Sequence, residues 1–572
     1  MSKILEELAR GVFAGDVVGV TELSEKAHKE GISAADIITK GLSEGMNQAT
    51  RFYRSKGMYL DRTIWAAAAF QFGMASISDY LEKEKMPPLG KVVLGVMCGP
   101  WTIGTNLVLA NLKAANFEAI DAGSDVSPKH IAECAKKENA DIICVGLYLS
   151  YRIHRLKELE EELFRLGIRQ KVKTILSGPS ANRKIARECG FDAYAKDAIS
   201  ITETAKRFLK EKAASKKVAP EMTPIERIRA SLNFKEPDRV PLVPFSMTFS
   251  AKFAKIPYSV FCKSGEAMAE AQIKAVREFG WDGVTTCSDV ARFAEPLGAK
   301  VNYPEDDVPR LVEGAIRLAT AREDFERLKK EKPEYYARIG RAAETVKAVK
   351  IIKDELGDEC AVIGSSEGPF QGTMLALGAD PAALFLTKQD PGLLHEILAW
   401  YVEYEVAIAK ELIAAGADLI FSGEPASYWM SPEMFKEFAY PYQKDAYRRI
   451  TEAGALPLIH CCGNVPQSLP FAPEVCPGGV VNFDYNINLK WAKKLIGDRI
   501  TIMGNLDCNR LLHLGSIADV EEASIKAIKA AAKGGGFWLS GGCEIPRDMT
   551  YRNMQAMLRV CQTAGKYPID LD

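Results

Sequence analysis

Through the first 88 residues, apolar positions recur at helical spacing, as in Ile37-Ile-Thr-Lys-Gly-Leu-Ser-Glu-Gly-Met46, and the Ala-rich run from Ile64 to Phe72 predicts a buried helix. Gly31 and Gly57 are the expected helix stops, and Pro87-Pro-Leu-Gly90 closes this helical segment. Between 89 and 211 the pattern changes to short apolar runs separated by helical stretches. The runs are Val92-Val-Leu-Gly-Val-Met97, Phe117-Glu-Ala-Ile120, Asp141-Ile-Ile-Cys-Val-Gly146, Thr174-Ile-Leu-Ser-Gly178 and Asp192-Ala-Tyr-Ala195. Such alternation predicts an α/β unit, a doubly wound, Rossmann-like (flavodoxin-like) parallel sheet. Ligands on such a sheet lie beyond the carboxyl ends of its strands, which singles out the loops 98–104, 148–151 and 178–182.

Residues 212–222, rich in Ala, Lys and Ser, read as a linker. Strand-then-helix alternation resumes over 223–572. Its apolar runs are Val240-Pro-Leu-Val-Pro244, Gly283-Val-Thr-Thr286, Ala361-Val-Ile-Gly364, Asp418-Leu-Ile-Phe421, Leu456-Pro-Leu-Ile459, Gly479-Val-Val-Asn-Phe483, Ile500-Thr-Ile-Met503 and Gly536-Phe-Trp-Leu539. These eight runs predict a TIM (β/α)8 barrel with insertions. The carboxyl ends of the runs carry Asp289, Glu367, Glu424, His460 with Cys462, Asp484, Asn505 and Cys543. In this fold that rim is where chemistry sits.

A histidine and two thiolates form a three-ligand zinc site with one position open, and His460, Cys462 and Cys543 supply that set. An open position on zinc can take a substrate thiol and deprotonate it. Side chains alternate along a strand, so His460 and Cys462 share a face and Cys461 points away. Cys543 must cross the barrel mouth to reach them, which requires bends at Gly541 and Gly542. Glu424 is a candidate fourth partner, or else a capping or substrate-contacting carboxylate. Charge supports no nucleic-acid or membrane partner, because 74 Lys+Arg nearly balance 75 Asp+Glu. No apolar run reaches the length of a membrane span. Thirteen scattered cysteines and a charged, helix-like N-terminus predict a cytoplasmic protein with reduced thiols.

Gly15-Asp-Val, Gly45-Met46 and Arg51-Phe-Tyr, followed by the Ala-rich helix, resemble the helical cap of corrinoid proteins, and 89–211 resembles their cobamide-binding fold. That family carries Asp-x-His-x-x-Gly after the first strand, where the histidine ligates cobalt from below. The matching stretch here keeps Ile103, Gly104 and Asn106, with Thr102 between. Gly99 stands at the aspartate position and Trp101 at the histidine position. Tyr148-Leu-Ser150 replaces a Ser-x-Leu motif, Ser177-Gly178-Pro179 keeps part of a Gly-Gly motif, and Gly190-Phe-Asp-Ala-Tyr-Ala-Lys-Asp197 matches the usual ending. The resemblance implies cobalamin or another corrinoid, held without a histidine lower ligand, or a domain that has lost the cofactor and serves for docking.

The segment 223–572 resembles the uroporphyrinogen decarboxylase superfamily in Pro237-Asp-Arg-Val-Pro-Leu242, Glu295-Pro-Leu-Gly298, Glu367-Gly-Pro369, Gly416-Ala-Asp418 and Gly504-Asn-Leu-Asp507. Phe245-Ser-Met-Thr-Phe-Ser-Ala251 replaces the paired arginines that hold substrate carboxylates in true decarboxylases. The His-x-Cys…Cys set resembles the zinc methyltransferase branch instead. What this implies is methyl transfer between a corrinoid and a zinc-activated thiol or other donor. Asp289, Glu367 and Asp484 then either orient substrate or serve as structural carboxylates. Two alternatives stand beside it: a decarboxylase-like lyase on a small acid, and a non-catalytic corrinoid-binding protein. A small-molecule methyl donor or thiol acceptor, a separate corrinoid protein, a reductive activase and a second copy of the chain are the candidate partners.

Overall fold

Helices Lys3–Ala14, Val17–Lys29, Ser43–Lys56 and Leu60–Ser76 build the first part of the chain, with a wide helical turn at Ile37–Leu42 leading into the third. The computed structural model describes residues 3–56, 60–77, 79–80, 87–97, 103–215, 222–378, 382–426, 430–463 and 465–570. Leu5, Leu8, Val12, Val20, Leu42, Met46 and Phe70 form the core of this helical layer. Gly45 lets two helices touch: a Cβ there would stand 2.4 Å from the Ala9 carbonyl. Gly31 leaves Val17–Lys29 with φ +85°, as expected of a stop, and Gly57 lies outside the described residues. The run 64–72 is not buried all round: Ala66, Ala69 and Phe70 face the core, whereas Trp65 is 60% and Phe72 57% exposed. Alanine fits either face of a helix, so its abundance says little about burial.

Five parallel strands follow: β1 (Lys91–Val96), β2 (Glu118–Ser124), β3 (Ile142–Gly146), β4 (Lys173–Ser177) and β5 (Ala193–Tyr194). Their order is β2-β1-β3-β4-β5, the flavodoxin-like arrangement, with its switch point between β1 and β3. Helices on both faces bury the apolar runs, which is why the strands show little polar alternation. The last helix, Ala198–Ser215, runs into the stretch read as a linker. Alanine and lysine favour helix strongly, which suits residues 212–215, and 216–221 lie outside the described residues. Contacts group Met1–Ala219 into one unit and Pro220–Asp572 into another.

The second unit holds β6 (Gly283–Thr285), a two-stranded antiparallel ribbon of β7 (Lys300–Asn302) and β8 (Arg310–Glu313), and then β9 (Ala361–Glu367), β10 (Leu419–Gly423), β11 (Leu456–Cys461), β12 (Val480–Phe483), β13 (Thr501–Leu506) and β14 (Phe537–Gly541). Parallel pairing runs β14-β13-β12-β11-β10-β9-β6. The segment 240–245 closes the ring: Asp282 N donates to Leu242 O at 2.8 Å, and Leu539 N to Pro241 O at 2.9 Å. Pro241 and Pro244 lack an N–H, so this eighth member makes scattered bonds rather than a full ladder. Buried Asp282 pins its start, accepting from Arg227, Arg239 and Leu242 N. Val243, Phe245, Ile363, Phe421, Leu458, Val480, Met503 and Trp538 fill the barrel interior. No helix among the described residues is long and apolar enough to cross a membrane.

Candidate metal centre

His460 and Cys462 leave the carboxyl end of β11 on the inner face, and Cys543 follows β14. His460 Nε2 lies 2.8 Å from Cys462 Sγ, the two sulfurs are 3.2 Å apart, and Cys543 Sγ is 3.8 Å from Nε2. Among the described residues these three form the one group of His, Cys, Asp or Glu whose ligand atoms converge within 4.8 Å. Cys461 faces the outer layer, where it lines a small apolar pocket with Gln443, Ile459 and Val481. The bend after β14 depends on Gly542, where a Cβ would stand 2.7 Å from Tyr485 N. That close approach carries the loop over the end of β12 and brings Cys543 in.

Asn482, on β12, sets the imidazole. Its Nδ2 donates to the carbonyls of Met503 at 2.9 Å and Gly541 at 3.1 Å. With both amide protons committed, Oδ1 must be the atom 2.6 Å from His460 Nδ1, and it can only accept. Nδ1 therefore carries a proton, and the Nε2 lone pair is turned toward the two sulfurs. Phe245 and Phe421, themselves 4.8 Å apart, both pack against the ring, with centroids 5.2 and 5.5 Å from it. Asn482 is not among the expected site residues, although a lone amide inside an apolar strand signals a buried partner.

The donors suit a zinc ion. Tetrahedral zinc with Zn–S near 2.3 Å and Zn–N near 2.0 Å would place the sulfurs about 3.8 Å apart and each about 3.5 Å from nitrogen. Reaching this takes Cys462 Sγ about 0.6–0.7 Å farther from both partners and Cys543 Sγ about 0.3 Å nearer to Nε2. The hydrogen bond to Cys462, followed by burial, pushes the Cys543 thiol far above its ordinary range, and His460 offsets this only in part. A divalent cation would supply the remaining offset.

The four rim carboxylates part company. Glu367 ends β9 facing inward. Glu424 follows Gly423 on the opposite face, the side on which Ser422 bonds Glu405 of the outer helix Pro391–Ala414. Its carboxyl lies against Gly368 and the start of helix Pro369–Ala376, and burial pushes it up to about 8. Glu424 lies outside the converging group of three. Asp289 is occupied by Arg341 and by Ala291 N at 3.0 Å, which fixes a turn. Asp484 accepts from Asn486 N at 3.0 Å, beside the Gly542 bend.

In the first unit the loops after β3 and β4 meet, Ser180 Oγ donating to Tyr148 O at 2.7 Å. Gly99, Trp101 and Thr102 lie outside the described residues. Ile103 opens helix Ile103–Ala114, Gly104 sits in its first turn, and Asn106 is exposed. A Cβ on Gly104 would stand 2.2 Å from the Tyr148 hydroxyl, so that ring rests on the glycine. Ser150 opens a short turn. Leu147 N donates to Ser177 O at 2.8 Å, tying β3 to β4. Gly178, before Pro179, holds φ +111°, with the Leu147 carbonyl 2.4 Å from where its Cβ would be.

A family model described as uroporphyrinogen decarboxylase matches residues 223–564. Models described as B12 binding domains match 90–201 and 4–77. The methylcobamide:CoM methyltransferase MtbA of Methanosarcina mazei is 28% identical over 345 residues, 59% of this chain and 97% of that protein. The dimethylamine corrinoid protein of Methanosarcina barkeri is 35% identical over 214 residues, 36% of this chain and all of that protein (100%). A solved structure of a methyltransferase from Methanosarcina mazei shares the fold, with TM-score 0.54 and 21% identity over 60% of this chain and 99% of its own.

Proposed function

Because the chain belongs to the uroporphyrinogen decarboxylase family through residues 223–564, and its first unit matches B12 binding domains, we propose that it is a corrinoid-linked methyltransferase whose barrel activates a substrate sulfur at zinc. The observation that carries this reading is the convergence of His460, Cys462 and Cys543 at the barrel mouth. When bound, zinc would hold a thiol as the nucleophilic thiolate, and a corrinoid would carry the methyl group. The protein's own part is to turn Nε2 inward through Asn482, to keep the ring packed against Phe245 and Phe421, and to leave one coordination position open. The resemblance to MtbA, a methylcobamide:CoM methyltransferase, supports a thiol as substrate. Phe245 and its followers, standing where a decarboxylase needs arginines, count against polycarboxylate chemistry. Carrying both domains on one chain raises their mutual concentration to the order of millimolar.

Metal analysis together with a visible spectrum after reconstitution with cobalamin tests the proposal. The expected result is about one zinc per chain, lost in Cys462→Ala and in Cys543→Ala and kept in Cys461→Ala, with a bound-corrinoid spectrum from the first unit. Zinc retained in Cys543→Ala would overturn the ligand set, and a metal-free protein would return the barrel to the lyase reading.

A further inference from the structure

Glu367 stands level with a candidate ligand two strands away. It pairs with Gly423 of β10, and Gly423 pairs with His460 of β11. The backbones of Glu367 and His460 are thus about 10 Å apart, two strand spacings. The residue between them has no side chain. A Cβ on Gly423 would stand 2.7 Å from Glu367 Oε2, so the carboxyl lies over the inner face of β10, in space that any other residue would fill. Glu367 is 4% exposed, and among the described residues its carboxyl takes no hydrogen bond or ion pair. Burial first, then the nearby carboxyls of Glu424, Asp289 and Glu405, hold it well above the usual carboxylate range, with Arg292 offsetting only part. Burial without a paired cation favours the neutral form of a carboxyl, and a neutral carboxyl donates a hydrogen bond.

Resting on the function proposed above, we propose that Glu367 is the hydrogen-bond donor to the substrate sulfur held at the metal, and the source of the proton which that sulfur takes up when a methyl thioether is released as a thiol. In that direction the carbon–sulfur bond breaks and its electron pair stays on sulfur. The methyl group passes to a cob(I)amide, whose electron pair forms the new cobalt–carbon bond. The Glu367 O–H bond breaks, its proton joins the sulfur, and water reprotonates the carboxylate left behind. Methylation of a thiol runs the same transfers backwards. Gly423 is the positioning residue in this scheme, since it alone leaves the carboxyl its path.

The test uses full-length protein with cobalt(II) in the barrel site and 1-propanethiol as probe. A thiolate that accepts a hydrogen bond donates less charge to the metal, so its thiolate-to-cobalt band lies at higher energy. Glu367→Leu and Gly423→Ala are expected to move that band to lower energy while keeping the metal, and Glu367→Gln, whose amide still donates, to move it less. Single-turnover demethylation of a methyl thioether should fall about 10²-fold in Glu367→Leu, the usual worth of a positioned acid. A band unmoved in both Glu367→Leu and Glu367→Gln overturns the inference, and so does loss of metal from Glu367→Gln, which would make Glu367 a ligand. Absence of the band from the unsubstituted protein would instead sink the metal reading on which this rests.

Discussion

Replacing Asn482 separates the building of the metal site from the building of the barrel. The amide is 1% exposed and makes three hydrogen bonds, one to His460 Nδ1 and two to strand carbonyls. Asn482→Ala strands one buried donor and two acceptors. Each stranded group costs about 1–3 kcal/mol, and relaxation keeps the sum below simple addition, so a loss of about 3 kcal/mol in unfolding free energy is expected. The imidazole also loses the partner that fixes its tautomer and its orientation. Such partners are worth 10–100-fold in metal affinity, or about 1.4–2.7 kcal/mol. Asn482→Asp tells the two effects apart. A carboxylate still accepts from Nδ1 and makes the imidazole more basic, but it offers nothing to the carbonyls of Met503 and Gly541. Chelator competition should therefore show weakened zinc binding in Asn482→Ala and near-normal binding in Asn482→Asp. Urea unfolding should show both variants destabilised, the aspartate at least as much. Undiminished zinc affinity in Asn482→Ala, or equal losses in the two variants, would refute the tautomer argument.

Other expectations follow from the same geometry. Gly178→Ala forces a Cβ against the Leu147 carbonyl at φ +111°, and should destabilise the first unit by about 2 kcal/mol or more, read as a lowered urea midpoint of its transition. Asp282→Asn removes the buried charge that joins Arg227 and Arg239 to Leu242 N, at a cost of about 3–5 kcal/mol to the barrel; an unchanged midpoint would show that the arginines find other partners. Burial pushes Glu405 up to about 8, above its unfolded value near 4.5, so the folded state binds the extra proton. That contribution is fully present below pH 4.5 and fades as pH rises toward 8. Glu405→Gln keeps an acceptor for the Ser422 hydroxyl at 2.7 Å and should flatten the fall in stability between pH 5 and 8, and an unaltered profile would show the group ionised throughout.

Burial on both faces is what made the parallel strands legible, because each then reads as an uninterrupted apolar run bounded by turns. The same reasoning explains the omissions. β7 and β8 carry Lys300-Val-Asn302 and Arg310-Leu-Val-Glu313, whose outward residues are polar and whose pairing lies outside the barrel, so no run announces them. The carboxylates are a sharper case, since the information was present and went unused. Alternation placed His460 and Cys462 on one face and dismissed Cys461. Applied to the neighbouring strand, it sets Phe421 and Gly423 inward and Glu424 outward, because Phe421 is the residue that packs on His460. A glycine at the inward position of a barrel rim then asks what occupies the space its side chain would take. Register answers that the claimant is Glu367, one strand away, rather than the carboxylate adjacent in sequence. What the sequence withheld was the register between strands, which depends on where each loop lets its strand begin. Once that is fixed, the choice between two carboxylates that composition treats alike follows from a period of two.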